Sequence, residues 1–291
     1  MTQVEHVPAP MAAGPLALPF TVAAWNLERC YFPEESATLL DNHDPAVILL
    51  SEVDNGMART GQQHTTAVMA QNLGAGFAYG VEFLELDLGS ARERNYCRDD
   101  FNAKGFHGNA LLARQGLCDP FLVRLDDHGH WFDGTLNEKR VGGRCAIGSA
   151  VNTQARAILF VSVHLESHAT PDHRAAQMRL LLDCIDMRAG SFPVVIGGDL
   201  NSGVRNGARL EDETLFADAA LRGYAAHGAE PGQTTVRKSR LSDPDLPYRI
   251  DWFLTRGIKT ANFEIVPALA PDGTPLSDHE LVKIDICAIP G

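Results

Sequence analysis

Several apolar segments of the sequence end in polar residues that could carry chemistry. The clearest is VVIGGDLNS (194–202), in which apolar residues and two glycines lead directly into Asp199 and Asn201. A carboxylate is costly to bury inside a sheet unless a partner compensates its charge. The segment therefore either ends in a turn capped by the aspartate or delivers two polar groups to a site.

Other apolar segments show the same arrangement. They place Asn26 after TVAAW, Glu52 after AVILLS, His164 late in AILFVSVHL, Asp251 within RIDWFLT, and Asp278 and His279 before the last apolar segment. Each residue alone has an ordinary explanation as a turn residue, a helix cap or a hydrogen-bonded core histidine. Together they offer hard oxygen ligands that suit Mg²⁺, Mn²⁺ or Ca²⁺, and two histidines that suit proton transfer. With no Walker loop and no GxSxG motif, the residues favour chemistry by a divalent metal and activated water.

Many strands and a few helices must position these residues. Apolar and β-branched patterns predict strands at 20–26, 46–52, 77–86, 108–114, 145–151, 157–165, 193–199, 249–255, 261–268 and 281–289. Helical patterns cover 34–43, 60–74 and 171–190, the last bounded by Pro171 and Gly190. Some strands are continuously apolar, which is typical of sheets covered on both faces. This order of elements predicts an α/β or α+β layered sandwich.

The composition describes an ordinary globular chain of 291 residues, with 45% hydrophobic and 21% charged residues. We expect a flexible arm at 1–19 and one domain at 20–291. No apolar run reaches the roughly 18 residues that a membrane span needs, and the start lacks the pattern of a signal peptide. We therefore expect a cytoplasmic protein with no membrane partner. The six cysteines form no CxxC pair, so we expect reduced core residues.

The formal net charge of −12 argues against a broad basic surface for duplex nucleic acid. Two polar, aperiodic segments, 87–106 and 238–248, are each either surface loops or functional loops. The basic stretch RKSR (237–240) lies next to the second segment and is the best argument for nucleic acid. Together the two segments hold Arg92, Arg94, Arg98, Lys104, Lys238 and Arg240.

In order and type, these motifs resemble the endonuclease/exonuclease/phosphatase superfamily. The resemblance rests on Asn26, Glu52, His164, GDLN (198–201), RIDW (249–252) and SDH (277–279), and it covers residues 20 to 289. It implies a four-layered sandwich of two packed mixed β-sheets flanked by helices. It also implies that Asp199 and Asn201 face a scissile phosphate at a cleft between the sheets, while Leu200 stays in the core.

The resemblance further implies a role for each site residue. Glu52 would bind Mg²⁺ or Mn²⁺ with Asn26 and Asp278 close to it, and Ca²⁺ could substitute in a crystal. Asp199 would contact or activate the attacking water, and Asn201 would orient that water and donate to the phosphate. Asp251 would hold His279 in one tautomer, and His279 would donate to the phosphate or take part in proton transfer. His164 would approach from the other side and stabilise negative charge or assist the leaving group.

Four further residues are candidates for substrate binding. GNALL resembles a strand of the superfamily, which would place Asn109 near the floor of the cleft. The segment NEKRVGGRCAIG resembles another of its strands, which would offer Arg140 to a phosphate or to a structural ion pair. His168 follows a strand and could reach substrate, whereas His107 has no clear counterpart in the superfamily and is a candidate only by its chemistry.

The sequence leaves the substrate and the oligomeric state open. The acidic balance favours a small phosphodiester or phosphomonoester over nucleic acid. The alternative is a metal-dependent nuclease acting on DNA or RNA, and a more remote alternative is a non-catalytic binding module on the same fold.

Overall fold

The computed structural model describes residues 2–11, 13–126, 139–204, 209–244 and 247–290. The strands in this part of the chain are β1 (Val4–Val7), β2 (Phe20–Arg29), β3 (Val47–Asn55), β4 (Gly76–Glu85), β5 (Phe106–Ala113), β6 (Leu117–Arg124), β7 (Arg140–Gly142), β8 (Cys145–Val151), β9 (Ile158–His164), β10 (Val194–Val204), β11 (Ala225–Gly228), β12 (Arg249–Arg256), β13 (Lys259–Val266) and β14 (Leu281–Ala288). The helices are α1 (Pro33–Asp41), α2 (Thr65–Leu73), α3 (Ala91–Arg94), α4 (Pro171–Ala189) and α5 (Leu215–Leu221).

These strands form two mixed sheets. The first sheet has the order β1-β4-β5-β3-β2-β14-β13, and β7 pairs with β4 beside it. The second sheet has the order β11-β12-β10-β9-β8-β6. In the first sheet β2 and β3 run parallel, and in the second β9 and β10 run parallel, so each sheet has one central pair whose carboxyl ends point the same way.

The sheets pack face to face and helices cover both outer faces. Strand β2 shows how one strand serves two layers: Val22 and Ala24 lie in the core between the sheets, whereas Trp25 packs outward with residues of α1 and α2. Because successive side chains of a strand point to opposite faces, a strand covered on both sides must be apolar throughout. The second sheet is covered by α4 and α5 in the same way. The four-layered sandwich expected from the sequence is confirmed.

The ends of helix α4 agree with the sequence because residues typical of helix termini stand at both of them. Thr170 accepts a hydrogen bond from the backbone N–H of His173 at 3.3 Å, and Pro171 occupies the first turn. The helix then buries Met178, Leu181 and Ile185 against the second sheet, and it stops before Gly190. Most of its stability comes from this apolar face.

The strands and helices of the structure differ from those predicted from the sequence mainly at the edges of the sheets and in short elements. The strands β6, β7 and β11 and the short helices α3 and α5 were not expected, and α2 begins at Thr65 although its pattern predicts a start near residue 60. These elements are short or lie at sheet edges, where only part of the pattern is apolar. The segment 1–19 was expected to be a loose arm, and its residues Val4–Val7 form β1, which pairs antiparallel with β4.

The expectation about the cysteines needs to be narrowed. All six cysteines are free, but only Cys30 and Cys145 are buried, and Cys287 is exposed, so the expectation of six core cysteines is too broad. Within the described residues, no helix is long and apolar enough to cross a membrane.

Candidate active site

The side chains expected to be functional lie where the strands become irregular. The ladder between β2 and β3 shifts register after Asn26, the ladder between β3 and β5 shifts between Leu50 and Val53, and the ladder between β10 and β12 shifts after Asp199. Such bulges re-aim side chains and are frequent beside active sites. Glu52 and Asn201 sit at these bulges with positive φ angles of 54° and 48°. Asparagine tolerates this conformation, but glutamate rarely adopts it, so the fold holds Glu52 against a local cost.

In the second sheet, three of the expected residues form one row across adjacent strands. Asp199 on β10 is the direct partner of His164 on β9 and of Asp251 on β12. All three are almost completely buried. Leu200, the next residue along β10, points into the core under α4 and is fully buried, as expected. The alternation of a single strand therefore separates the site from the core.

His279 meets this row from the first sheet. Its Nδ1 atom lies 2.9 Å from Oδ2 and 3.1 Å from Oδ1 of Asp251. The loop that carries His279 is fixed by Ser277, whose hydroxyl donates to the backbone carbonyl of Asn26 at 2.6 Å and accepts from the His279 N–H at 3.0 Å. Burial lowers the pKa of His279, but Asp251 and Asp199 outweigh it and hold the pKa well above its usual value. The imidazolium form is therefore favoured.

Asp199 occupies the centre of the arrangement. Its Oδ2 atom accepts a hydrogen bond from Asn26 Nδ2 at 3.2 Å, and lies 3.5 Å from His164 Nε2 and 3.6 Å from His279 Nε2. Its Oδ1 atom accepts from the backbone N–H of Asn201 at 2.8 Å. The Asn201 side chain donates one N–H to the carbonyl of Leu165 at 3.0 Å. Asp199 thus contacts groups from both sheets, and Asn201 is anchored to the backbone beside it.

Three carboxylates interact electrostatically next to this centre. Glu52 and Asp278 were expected, and Glu28 joins them from the end of β2. Burial first, and then the charge of Asp278, raise the pKa of Glu28 to about 8, although Ser239 donates a hydrogen bond to it. Burial, and then the charge of Glu52, raise the pKa of Asp278 to about 6. Carboxylates that raise one another's pKa in this way are the donor set that a hard divalent cation would stabilise.

Asn26 and Arg29 complete the surroundings of Glu52. Asn26 Nδ2 donates to Glu52 Oε1 at 3.2 Å, which places its carboxamide beside the carboxylates as expected. Arg29 forms an ion pair with Glu52 through Nη1 and also contacts Glu93 through Nε at 3.0 Å. Burial would raise the pKa of Glu52, but Arg29 outweighs it and the pKa lies well below its usual value. An arginine therefore occupies one side of the expected metal ligand.

Another group of buried residues could also hold an ion, because ligand atoms of Asp199, Asp251 and His279 all lie within 4.8 Å of one another. In this group, however, His279 Nδ1 is already engaged by Asp251. The pair has the geometry of a carboxylate that orients an imidazole, and its buried charges already compensate each other.

The sequence did not indicate the network behind His164. Arg144 Nη1 lies 2.9 Å from His164 Nδ1 and donates to Glu82 Oε1 at 3.1 Å, and its Nε donates to Glu166 at 3.1 Å. Glu82 Oε2 lies 3.7 Å from His164 Nδ1. Arg144, Glu82 and His164 are almost completely buried. These groups hold the His164 ring in place.

Six of the expected site residues line one cleft of about 180 Å³. Its lining includes Glu52, His164, Asp199, Asn201, Asp278 and His279. Asn26 and Asp251 are not part of the lining, but they form hydrogen bonds with Glu52 and His279, which are. Ser242, Pro244 and Tyr248 also line the cleft, so the polar segment 238–248 forms part of its wall.

None of the four candidates for substrate binding belongs to the lining of this cleft. Asn109 is fully buried and donates to the Cys145 carbonyl at 2.7 Å, and it does not line the cleft. His107 is paired with Asp54 at 2.9 Å, in a buried network that Arg59, Glu93 and Arg29 connect to Glu52. His168 is exposed, with its ring against the Ser167 hydroxyl at 3.0 Å.

Arg140 also lies outside this cleft, because it belongs to the edge strand β7 and its guanidinium lies 3.9 Å from the centre of the Phe83 ring. The cation that reaches the site from this segment is Arg144, four residues later. The sequence alone does not distinguish the two arginines. Arg140 is held away from the site because β7 pairs with β4.

The sequence pattern of the Endonuclease/Exonuclease/phosphatase family matches residues 23–279. The chain belongs to this family. The match begins in β2, three residues before Asn26, and ends at His279, so it spans every motif of the cleft. No curated protein matches the chain.

Solved structures support the fold of the family. An endonuclease/exonuclease/phosphatase from Beutenbergia cavernae has a TM-score of 0.66 and 18% identity, over 94% of this chain and 72% of that chain. One from Bacteroides vulgatus has a TM-score of 0.64 and 16% identity, over 94% and 100% of the two chains. The human Nocturnin catalytic domain with bound sulfate has a TM-score of 0.60 and 15% identity, over 99% and 98%. These identities show a shared fold.

Proposed function

We propose that this protein is a divalent-metal-dependent phosphoester hydrolase that acts by in-line attack of water on phosphorus. One observation carries the proposal: Glu52 and Asp278 line the same cleft as His279, which Asp251 holds through a hydrogen bond of 2.9 Å. The first group suits a hard cation and the second suits charge stabilisation on a phosphate. Membership of the family, whose name covers nucleases and phosphatases, agrees with this class of reaction.

The residues around Glu52 fit Mg²⁺ or Mn²⁺ by their chemistry. Glu52, Glu28 and Asp278 would supply carboxylate oxygens, and the Asn26 carboxamide would lie beside them. A bound ion supplies positive charge that offsets the charge of the phosphate and of the leaving oxygen.

The protein's own groups would act on water and phosphate. Asp199 would orient the attacking water and accept a proton at Oδ2, the atom that lies closest to both histidines. His279, kept as an imidazolium by Asp251, would donate from Nε2 to a phosphate oxygen. His164, held by Arg144, would stabilise negative charge from the other side. Positioning and electrostatic stabilisation would supply most of the rate.

Hydrolysis in water enriched in ¹⁸O tests this reaction class. With bis-p-nitrophenyl phosphate and Mn²⁺, attack on phosphorus puts the label into p-nitrophenyl phosphate and leaves p-nitrophenol unlabelled. Mass spectrometry of both products decides the point. Label in p-nitrophenol would mean attack on carbon and would overturn the proposed mechanism.

We further propose that the physiological substrate is a small phosphoester. The chain has a net charge of −12. An acidic surface repels a polyanion at long range. The cleft of about 180 Å³ also suits a compact group.

A nuclease is the second candidate, and one contact favours it. Arg92 donates to the carbonyl of Leu241 at 2.6 Å, which joins the two polar loops and gathers their basic residues on one surface. A panel of plasmid, oligonucleotide, nucleotides and glycerophosphodiesters at two salt concentrations separates the candidates. Phosphate contacts of a nuclease would give a steep loss of activity with salt, about one unit of slope for each contact. A small-substrate enzyme would show a shallow dependence, and efficient nicking of plasmid with a steep slope would overturn our preference.

A further inference from the structure

A second cleft of about 440 Å³ opens beside the active site, between the end of β4, helix α3 and the start of β7. Five cationic side chains line it: Arg29, Arg59, Arg94, Lys139 and Arg140. Three carboxylates also line it, and Glu52 and Asp54 pair with Arg29 and Arg59 from behind, so the formal charges of the cleft and its partners balance. The cleft nevertheless gathers five cationic side chains at one place on a protein of net charge −12.

The cations of this cleft are held in two different ways. Arg59 is almost completely buried and is fixed by Asp54 through two hydrogen bonds of 2.8 and 2.9 Å. Arg94 and Lys139 are about half exposed or more, and both face the single carboxylate of Asp87, at 3.2 and 3.8 Å. Exposed ion pairs of this kind contribute little stability. An incoming anion could therefore replace Asp87 as the partner of both cations at small cost.

Arg29 connects this cleft to the active site. Its guanidinium contacts Glu52, the expected metal ligand, and Glu93, which lies in the wall of the second cleft. Glu93 also contacts Arg59 at 2.8 Å, so the three side chains form a continuous wall. A substrate whose scissile phosphate lies at Glu52 would have its next charged group within reach of the second cleft.

We propose that the second cleft binds a second, non-reacting phosphate of the substrate. The enzyme would then prefer small phosphoesters that carry two phosphate groups over those that carry one. A volume of about 440 Å³ is in the range of small-molecule sites and exceeds that of the active-site cleft. This inference rests on the proposed hydrolase function, but the binding of phosphate to the cleft can be measured separately.

Calorimetric titration of the metal-free protein with inorganic phosphate at low ionic strength tests the cleft directly. Arg94→Gln removes one charge-assisted hydrogen bond and should weaken phosphate binding about tenfold. Asp87→Asn removes the competing carboxylate and should strengthen binding, which a merely structural role of Asp87 would not predict. Arg179→Gln is the matched control, because Arg179 is an equally exposed arginine paired with Asp218 at 2.8 Å on another face. Equal affinity of wild type and Arg94→Gln would overturn the proposal.

The second measurement compares two substrates that differ by one phosphate, thymidine 5′-(p-nitrophenyl phosphate) and its 3′-phosphorylated form. Wild type should have a kcat/KM about tenfold higher for the second, mainly through KM, and Arg94→Gln should reduce this ratio without changing the rate on the first. Equal kcat/KM for the two substrates would contradict the inference while leaving the hydrolase function intact. If neither is hydrolysed, the proposed function fails, and the phosphate titration still decides whether the cleft binds anions.

Discussion

His279 and Asp251 belong to different sheets, and a hydrogen bond of 2.9 Å between their side chains joins the two sheets beside the cleft. Asp251 lies within β12 of the second sheet, and His279 lies in the loop that leads into β14 of the first. The backbone of His279 is also held by Trp25, whose indole N–H donates to its carbonyl at 2.9 Å. The position of the imidazole therefore depends on the packing of the two sheets as much as on its own loop.

The first prediction concerns this pair. Asp251→Asn keeps the shape of the side chain, but it can present an N–H to His279 and removes the charge that favours the imidazolium. We expect kcat to fall by about 10² to 10⁴-fold while metal affinity changes little. Steady-state kinetics at saturating Mn²⁺ measures the effect. Asp218→Asn, on the far surface, is the control, and an unchanged kcat in Asp251→Asn would count against the proposed role of the pair.

The second prediction separates metal binding from phosphate binding. Glu52→Gln should weaken Mn²⁺ binding by roughly 100-fold or more, since loss of even an outer partner of a ligand costs about 10 to 100-fold. His279→Ala should bind Mn²⁺ nearly as wild type does and lose most of its turnover. Calorimetry with Mn²⁺ gives both affinities. The assignment of roles is wrong if the histidine variant loses the metal and the glutamine variant keeps it.

The third prediction concerns Arg29, which forms an ion pair with Glu52. A divalent cation must compete with this guanidinium for the same carboxylate. Arg29→Met should therefore strengthen Mn²⁺ binding, by up to about tenfold or ~1.4 kcal/mol. Arg114→Met, which changes a surface arginine paired with Asp41 and Asp44, serves as the control. Weaker binding in Arg29→Met would show that the arginine supports the metal site instead of competing with it.

The fourth prediction concerns stability in acid. Although burial raises the pKa of Glu93, Arg29 and Arg59 lower it to about 2, from an ordinary value of 4.5. A carboxylate with a lowered pKa stabilises the fold above pH 4.5, and this contribution is lost as the pH falls from 4.5 towards 2. The shift corresponds to about 3 kcal/mol. The free-energy difference between wild type and Glu93→Gln should be largest above pH 4.5 and shrink in acid.

Urea unfolding at pH 7, 5, 4 and 3 measures that difference. A destabilisation that stays constant over this range would mean that Glu93 contributes through packing and not through its charge. Glu211→Gln is a suitable control, because Glu211 is an exposed carboxylate on a surface turn.

Much of the site could be predicted from the sequence because its polar residues stand at the ends of apolar strands. Apolar runs that stop at Asn26, Glu52 and Asp199 show both where the strands lie and where their polar groups emerge. The alternation of the strand also places Leu200 in the core and its two neighbours in the cleft. The roles of these residues in catalysis stay predictions until they are tested.

Other parts of the site depend on long-range pairing that a local pattern does not encode. Arg144 reaches His164 and Arg140 does not, although both stand in one short basic segment, because β7 and β8 belong to different sheets. Glu82 interrupts an apolar strand without any sign of its partner, and Arg29 and Glu28 look like ordinary residues at the end of β2. Such contacts arise only when the sheets close on each other.

Metal-dependent hydrolysis at Glu52 is the central claim, and one assay tests it most directly. Wild type and Glu52→Gln are compared on bis-p-nitrophenyl phosphate with Mn²⁺, after chelation, and after Mn²⁺ is restored. We predict that wild type loses its activity with chelator and regains it with metal, and that Glu52→Gln is nearly inactive at metal concentrations that saturate wild type. Activity that persists in chelator, or equal rates for the two proteins, would contradict the assignment of this cleft as a metal-dependent phosphoesterase site.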